Sequence, residues 1–180
     1  DVMPLIGENR ALEKFGLIVL NRTKRPGLKA LIETSGLEFG KMDTISVGFG
    51  IGPRINAASR MEHASLAFSA LMAETEEEAN TAALVLDRLN RERRSATEGM
   101  MSQARASVAE AGAKKVHCVL GDGWPAGLVG LVAGKIVNET GIPSFVFGRE
   151  GERIVGSGRS VPGFDVVAAM ESAADCLTRF

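Results

Sequence analysis

Between Thr75 and Gly112 the chain has no proline and a single glycine, Gly99, and this run constrains the fold more than any other stretch. Thr75 and Glu78 form a capping box, in which a hydroxyl and a carboxylate satisfy each other's backbone N–H groups at a helix start. Apolar or small residues then recur at Ala79, Ala83, Leu86, Leu89, Met100, Ala104 and Val108, close to the helical period. Gly99 lowers helix propensity and can bend such a helix without ending it. A helix rises about 1.5 Å per residue, so one of about 36 residues extends about 54 Å, more than a small domain requires. The run is expected to be a connecting helix with folded material at both ends.

On the upstream side, ENRALEKFGLIVLNR and RPGLKALIETSGL read as short amphipathic helices, the second entered near Pro26 and left near Gly36. MEHASLAFSALMA, from Met61 to Ala73, reads as another. Residues 1 to 40 make no complete core, so apolar side chains at Leu5, Leu12, Phe15, Leu17 and Leu28 are expected to lie uncovered. Self-association of the fragment, or disorder of this segment, is the corresponding expectation. Downstream the pattern changes. KKVHCVL is strand-like, GDGW is a turn, and PAGLVGLVAGKIVNETG is a helix entered through Pro125 and ended near Gly141. IPSFVF and ERIVGSG are two more strands, and FDVVAAMESAADCL is a helix with Asp165 at its start. The order β-α-β-β-α implies an α/β fold, a mixed sheet covered by helices. The expected division is 1–45, 46–112 and 113–180.

Composition narrows the function classes. With 180 residues, 45% apolar and 24% charged, the chain has the balance of a soluble globular protein. Its formal net charge of −1 supplies no global positive field, so any nucleic-acid binding must come from a local patch. Cys118 and Cys176 lack metal spacing and read as reduced thiols. With no span-length apolar run and no signal peptide, a cytoplasmic location is expected and no membrane contact. Asp1 is not an initiator methionine, and the chain is expected to be a piece of something longer.

Two stretches can carry chemistry. In IVGSGRS a strand runs into Gly156, Ser157, Gly158, Arg159 and Ser160, where bare backbone, hydroxyls and a guanidinium fork suit a phosphate-contacting loop. A plain turn with one solvated arginine is the competing reading. In GFGIGPRINAASR, Pro53 at a first helical position would leave backbone N–H groups free at the positive end of the helix dipole. Asn56 and Arg60 lie four residues apart and share a helix face, Arg54 is a further cation, and Ala57, Ala58 and Ser59 admit a close backbone. The alternative is a glycine-rich turn whose arginines pair with local carboxylates. His63 and His117 belong to no carboxylate–histidine cluster and read as surface or strand residues. Trp124 reads as a helix anchor before a base-stacking residue, Asp122 as a turn residue, and DRLNRERR as a solvated helix face. With eight phenylalanines, one tryptophan and no tyrosine, the chain offers phosphate contacts more readily than a stacking platform.

DVMPLIGENR, RPGLKAL, GIGPRINAASR, the LNRERR helix, GDGWPAGLVGLVAGKI and GSGRS occur in the order seen in the RecJ exonucleases. The chain resembles that family, which belongs to the DHH phosphoesterase superfamily, over essentially its whole length. The resemblance implies a 5′-to-3′ single-stranded-DNA exonuclease of repair and recombination, with Mn2+ or Mg2+ bound in a DHH domain. It also implies that residues 1–45 are the helical tail of that domain, joined by the long helix to a DHH-associated domain. Asp1 then resembles the tail of the last metal-binding motif, so the metal centre, its catalytic residues and any cofactor site are expected outside this chain. What the resemblance leaves here is DNA-backbone contact near the 5′ phosphate by Asn56, Arg60, Ser157, Arg159, Ser160 and Arg54. Single-stranded DNA is the implied partner, with a single-strand-binding protein and a helicase as further ones.

Three positions depart from the family pattern: Ser59 replaces a glycine, Pro125 replaces a histidine after Trp124, and the chain stops at Phe180 before a Gly-Gly-His motif. Two other classes remain open at this point. One is a phosphodiesterase of short oligonucleotides or cyclic dinucleotides; the other is a stand-alone, non-catalytic nucleic-acid-binding module. A nucleotide-binding domain built on GFGIGP fits poorly, because no βαβ unit with a suitably spaced acidic residue follows.

Overall fold

The computed structural model describes residues 3–179. Asp1, assigned above to a metal-motif tail, and Phe180 lie outside them. The described residues form two compact units that divide after Glu92, inside the long helix.

The first unit is helical. Its elements are α1 (Gly7–Leu20), α2 (Pro26–Thr34), α3 (Gly52–Met61), α4 (Ser65–Met72) and the start of α5 (Glu76–Ala111). The core is made largely of small side chains: Ala30, Ala58, Ala67, Ala70, Ala79 and Ala83 surround Leu31, Ile32, Ile51 and Leu86. Small residues bring helix backbones close, and Gly27 shows the extreme, since a Cβ there would run into the Ala70 carbonyl of α4. Asn21 ties the end of α1 to the loop that follows α2. Its Nδ2 donates to Met42 O at 2.9 Å, and its Oδ1 accepts from Met42 N at 2.6 Å. No residue of α1 is buried, and Leu5, Leu12 and Phe15 are exposed as expected, whereas Leu17 and Leu28 are half-buried.

Two helix starts differ from the sequence reading. α4 begins at Ser65, not at Met61, because α3 continues through Met61 and the chain breaks at residues 62–64. His63 Nδ1 there accepts from Ser65 N at 3.2 Å and lies 2.8 Å from Ser65 Oγ, so this histidine serves the helix entry. Pro53 is not a helix start either. A π-helical segment, Ser46–Ile51, runs straight into α3, and Gly52 N donates to Val47 O, five residues back. Proline lacks an N–H and its ring crowds the carbonyl four residues upstream, and widening the helix just before it relieves both problems. The true start is Asp43. Its Oδ1 accepts from Ser46 N at 2.7 Å and Ser46 Oγ at 2.6 Å, and its carbonyl accepts the first helical bond, from Val47 N at 3.1 Å. These hydrogen bonds hold the Asp43 carboxyl below its ordinary range.

α5 follows the sequence closely. Glu78 N donates to Thr75 Oγ1 at 3.2 Å and Thr75 N to Glu78 Oε2 at 3.4 Å, which is the expected capping box. The helix then runs 36 residues through Gly99 without interruption.

The second unit contains the rest of α5, β1 (His117–Asp122), α6 (Ala126–Thr140), β2 (Ser144–Glu150), β3 (Arg153–Arg159) and α7 (Val166–Ser172). Among the described residues the sheet order is β1-β2-β3, with β1 parallel and β3 antiparallel to β2. This is the expected mixed α/β arrangement. Leu128, Val129, Val132, Ala133 and Ile136 of α6 are buried, as are Val119 and Val146 of the sheet. Trp124 is buried too, and a Cβ on Gly121 or Gly148 would strike it. It anchors the β1–α6 turn, which removes it from base stacking. α6 ends at Gly141, which takes the left-handed conformation at φ 68°. Asp165 caps α7 through Val167 N at 2.9 Å and Ala168 N at 3.1 Å.

Candidate nucleic-acid interface

In the first unit the candidates lie on α3. Ala57 and Ala58 face the core and are fully buried, which turns Asn56 outward and leaves Arg60 partly exposed on the same face one turn later. The Asn56 side chain has no hydrogen bond within the described residues, so its amide is available to a ligand.

Arg54 does something else. Its Nε donates to Asp87 Oδ1 at 2.9 Å, Nη1 to Gly50 O at 2.9 Å, and Nη2 to Thr34 O at 3.3 Å. Nη2 also pairs with Asp87 Oδ1 at 2.8 Å. The guanidinium joins the π-helical segment and α2 to α5, with little left to offer a phosphate. The carboxylate pairing left open for the arginines of this stretch is present at Arg54. The expected row of free N–H groups beside it is also absent, because those amides sit inside a continuous helix whose real start is occupied by Asp43.

In the second unit the candidates lie on β3, not in a loop. Gly156 to Arg159 are paired with β2 throughout, with Ser157 opposite Val146 and Arg159 opposite Ser144. The glycines suit a strand here because the rings of Phe147 and Phe145 cover the positions where their side chains would be. Since strand side chains alternate, Ser157 and Arg159 point to one face together, the face packed by α6. Arg159 Nη1 donates to Ser157 Oγ at 3.0 Å and to Gly158 O at 2.8 Å. Arg159 is exposed, and its Nε and Nη2 make no hydrogen bond to other described residues. The result is a guanidinium held through Nη1, with Nε and Nη2 unbonded, beside a hydroxyl. That suits an oxyanion.

Ser160 is engaged within the chain. Its Oγ donates to Phe164 O at 2.6 Å and closes the turn into α7. A hydroxyl has one proton, and here it is directed at a carbonyl of the same segment.

The sequence reading missed Gly130 on α6. A Cβ there would lie 3.1 Å from both Arg159 Nη2 and Ser157 Oγ. The available signal was the run of glycines at 127, 130 and 134, three and four residues apart on one helix face. Among the described residues, no group of three or more His, Cys, Asp or Glu side chains is placed to hold a metal ion. Among the same residues, no helix is long and apolar enough to cross a membrane.

No protein-family model matches the chain. It is 38% identical over 183 residues to the single-stranded-DNA-specific exonuclease RecJ of Bacillus subtilis, covering 100% of this chain and 23% of that protein. To RecJ of Thermus thermophilus it is 37% identical over 180 residues, covering 100% of this chain and 26% of that protein. Among solved structures, RecJ of Thermus thermophilus in complex with Mg2+ superposes with a TM-score of 0.88 at 33% identity, over 99% of this chain and 28% of that one. An exonuclease RecJ bound to manganese gives a TM-score of 0.82 at 34% identity, over 99% of this chain and 44% of that one. The chain thus spans about a quarter of the length of these two sequence relatives.

Proposed function

We propose, from the premise that this chain is related along its whole length to a segment of the RecJ exonucleases, that it holds the sugar–phosphate backbone of single-stranded DNA in such an enzyme. The observation that carries the reading is Arg159, exposed and fixed to Ser157 through Nη1 while Nε and Nη2 make no hydrogen bond to other described residues. Asn56 and Arg60, side by side on α3, are a second set of backbone contacts. Arg54 and Ser160 are left out for the reasons given above.

In this reading the whole protein is a metal-dependent 5′-to-3′ exonuclease of DNA repair and recombination, working in the cytoplasm. Its Mn2+ or Mg2+ is bound by residues other than those described here. A single-strand-binding protein and a helicase are its expected partners on family resemblance. Backbone contacts carry no sequence information, so this segment contributes grip and register while cleavage belongs elsewhere.

The test is binding of a 5′-phosphorylated single strand by the full-length protein as salt is varied. Each phosphate contact on a single strand contributes about −0.7 to the slope of log affinity against log salt. Arg159→Ala should reduce the slope by about that amount and weaken binding by about 1.5–3 kcal/mol, the value of a charge-assisted hydrogen bond. Unchanged affinity and slope in Arg159→Ala would defeat the reading.

A further inference from the structure

Where β3 packs on α6, Ser157 and Arg159 face a residue that has no side chain. Gly130 lies on α6 facing Ser157 and Arg159, and a Cβ there would approach Arg159 Nη2 to 3.1 Å, Ser157 Oγ to 3.1 Å and Ser157 Cβ to 3.5 Å. The first two distances are tighter than ordinary contact with carbon, so a methyl group would force one or both polar groups to move. Arg159 is also held from the other side, by the Nη1 bonds to Ser157 Oγ and Gly158 O. Its guanidinium rests against bare helix backbone and its own strand.

We propose that Gly130 is a positioning residue for the oxyanion contact: the missing side chain allows Arg159 and Ser157 to lie together against α6, and a side chain there displaces them. The proposal rests on the reading that these two residues contact the phosphate backbone. Gly130 touches no ligand itself. Glycine is otherwise a poor choice at this place. It is internal to a 15-residue helix, where alanine is favoured by intrinsic propensity, and its conformation is not left-handed. Gly134, one turn on, has nothing within 4 Å of its Cβ position and is the matched control.

The experiment compares Gly130→Ala, Gly134→Ala and Arg159→Ala in the full-length protein, with 5′-phosphorylated oligothymidylate as probe, and records affinity, salt slope and thermal midpoint. Gly130→Ala is expected to melt no lower than the unaltered protein. It should nevertheless bind about tenfold more weakly, the low end of what losing a charge-assisted hydrogen bond removes. Its salt slope should fall toward that of Arg159→Ala. The slope separates positioning from general damage, because damage reduces the competent fraction and leaves the slope alone. Gly134→Ala should match the unaltered protein in binding. If Arg159→Ala weakens binding while Gly130→Ala does not, the proposal is wrong and the reading of the site stands. If Gly130→Ala abolishes cooperative melting, or weakens binding with an unchanged slope, the glycine is a packing requirement and the proposal is wrong. If Arg159→Ala itself changes nothing, the reading of the site falls and the proposal with it.

Discussion

Arg54 and Asp87 stand 33 residues apart and meet twice at one oxygen, with Nε 2.9 Å and Nη2 2.8 Å from Oδ1. The other carboxylate oxygen accepts from Arg91 Nε at 3.2 Å. Side-chain exposure separates the two arginines, at 14% for Arg54 and 72% for Arg91. Removing the carboxylate from a mostly buried guanidinium leaves a charge without its partner. Asp87→Ala should therefore cost about 3 kcal/mol, at the low end for breaking a buried pair. Arg91→Ala should cost about 0.5 kcal/mol or less, as exposed pairs do. Urea denaturation of the two variants checks this, and equal losses would contradict the assignment of Arg54 as an internal tie.

Asp43 gives a pH dependence. Its carboxyl is held below the ordinary range chiefly by the Ser46 side-chain hydrogen bond and next by the Ser46 backbone N–H. A depressed folded-state pKa means that this group's contribution is present above the unfolded carboxylate pKa. It is lost as pH falls through the folded value. Carbon-detected NMR titration should place the Asp43 midpoint below that of an unstructured aspartate. Ser46→Ala should move the midpoint back up, and a midpoint at the ordinary value in the unaltered protein would remove the cap.

Gly27 and Gly16 should respond to alanine in opposite directions. A Cβ on Gly27 meets the fixed Ala70 carbonyl, whereas one on Gly16 meets nothing within 4 Å. Gly16→Ala is expected to stabilise by up to about 1 kcal/mol through helix propensity. Gly27→Ala should destabilise by about 2 kcal/mol after the same propensity gain, because α2 must move away from α4. Thermal melts of the two variants suffice to compare them.

The 180-residue chain by itself should leave 5′-labelled single-stranded DNA intact in the presence of Mn2+. Two-metal phosphoryl chemistry needs a convergent set of carboxylate or histidine ligands, and no such group of three occurs among the described residues. Turnover that follows the chain through purification and a tagless preparation would refute this.

Strand sequence should not matter to the candidate interface. Arg60→Ala and Arg159→Ala should weaken binding equally for oligothymidylate and mixed-sequence strands, since backbone contacts do not read bases. A loss confined to one sequence would point to base recognition.

The features visible in the sequence were those written in neighbouring residues. The α5 start follows from Thr75 and Glu78, the α7 start from Asp165, and the α6 end from Gly141, each a matter of one helical turn. The strands and their order follow from alternation and from the turns between them. Features that depend on distant partners were hidden. Nothing near Arg54 identifies Asp87 as its partner, and nothing near Gly156 and Gly158 shows that phenylalanine rings of β2 cover them and keep them in a strand. The helix start at Asp43 was local and still missed, because Pro53 is the more familiar marker of a start and the π-helical segment carries the helix through it.

β2 is the only strand among the described residues with a ladder on both sides. Among the described residues β3 is paired along one edge only. Protection against hydrogen exchange should therefore be ranked, with central amides of β2 opening only in the larger fluctuations and those of β3 exchanging through smaller ones. Arg159 sits at the last residue of β3, one of the two edge strands. A bound phosphate that bridges to this side chain would oppose loosening there. The amides of β3 should then slow on ligand addition more than those of β2, a difference in breathing that a static view of the guanidinium does not contain.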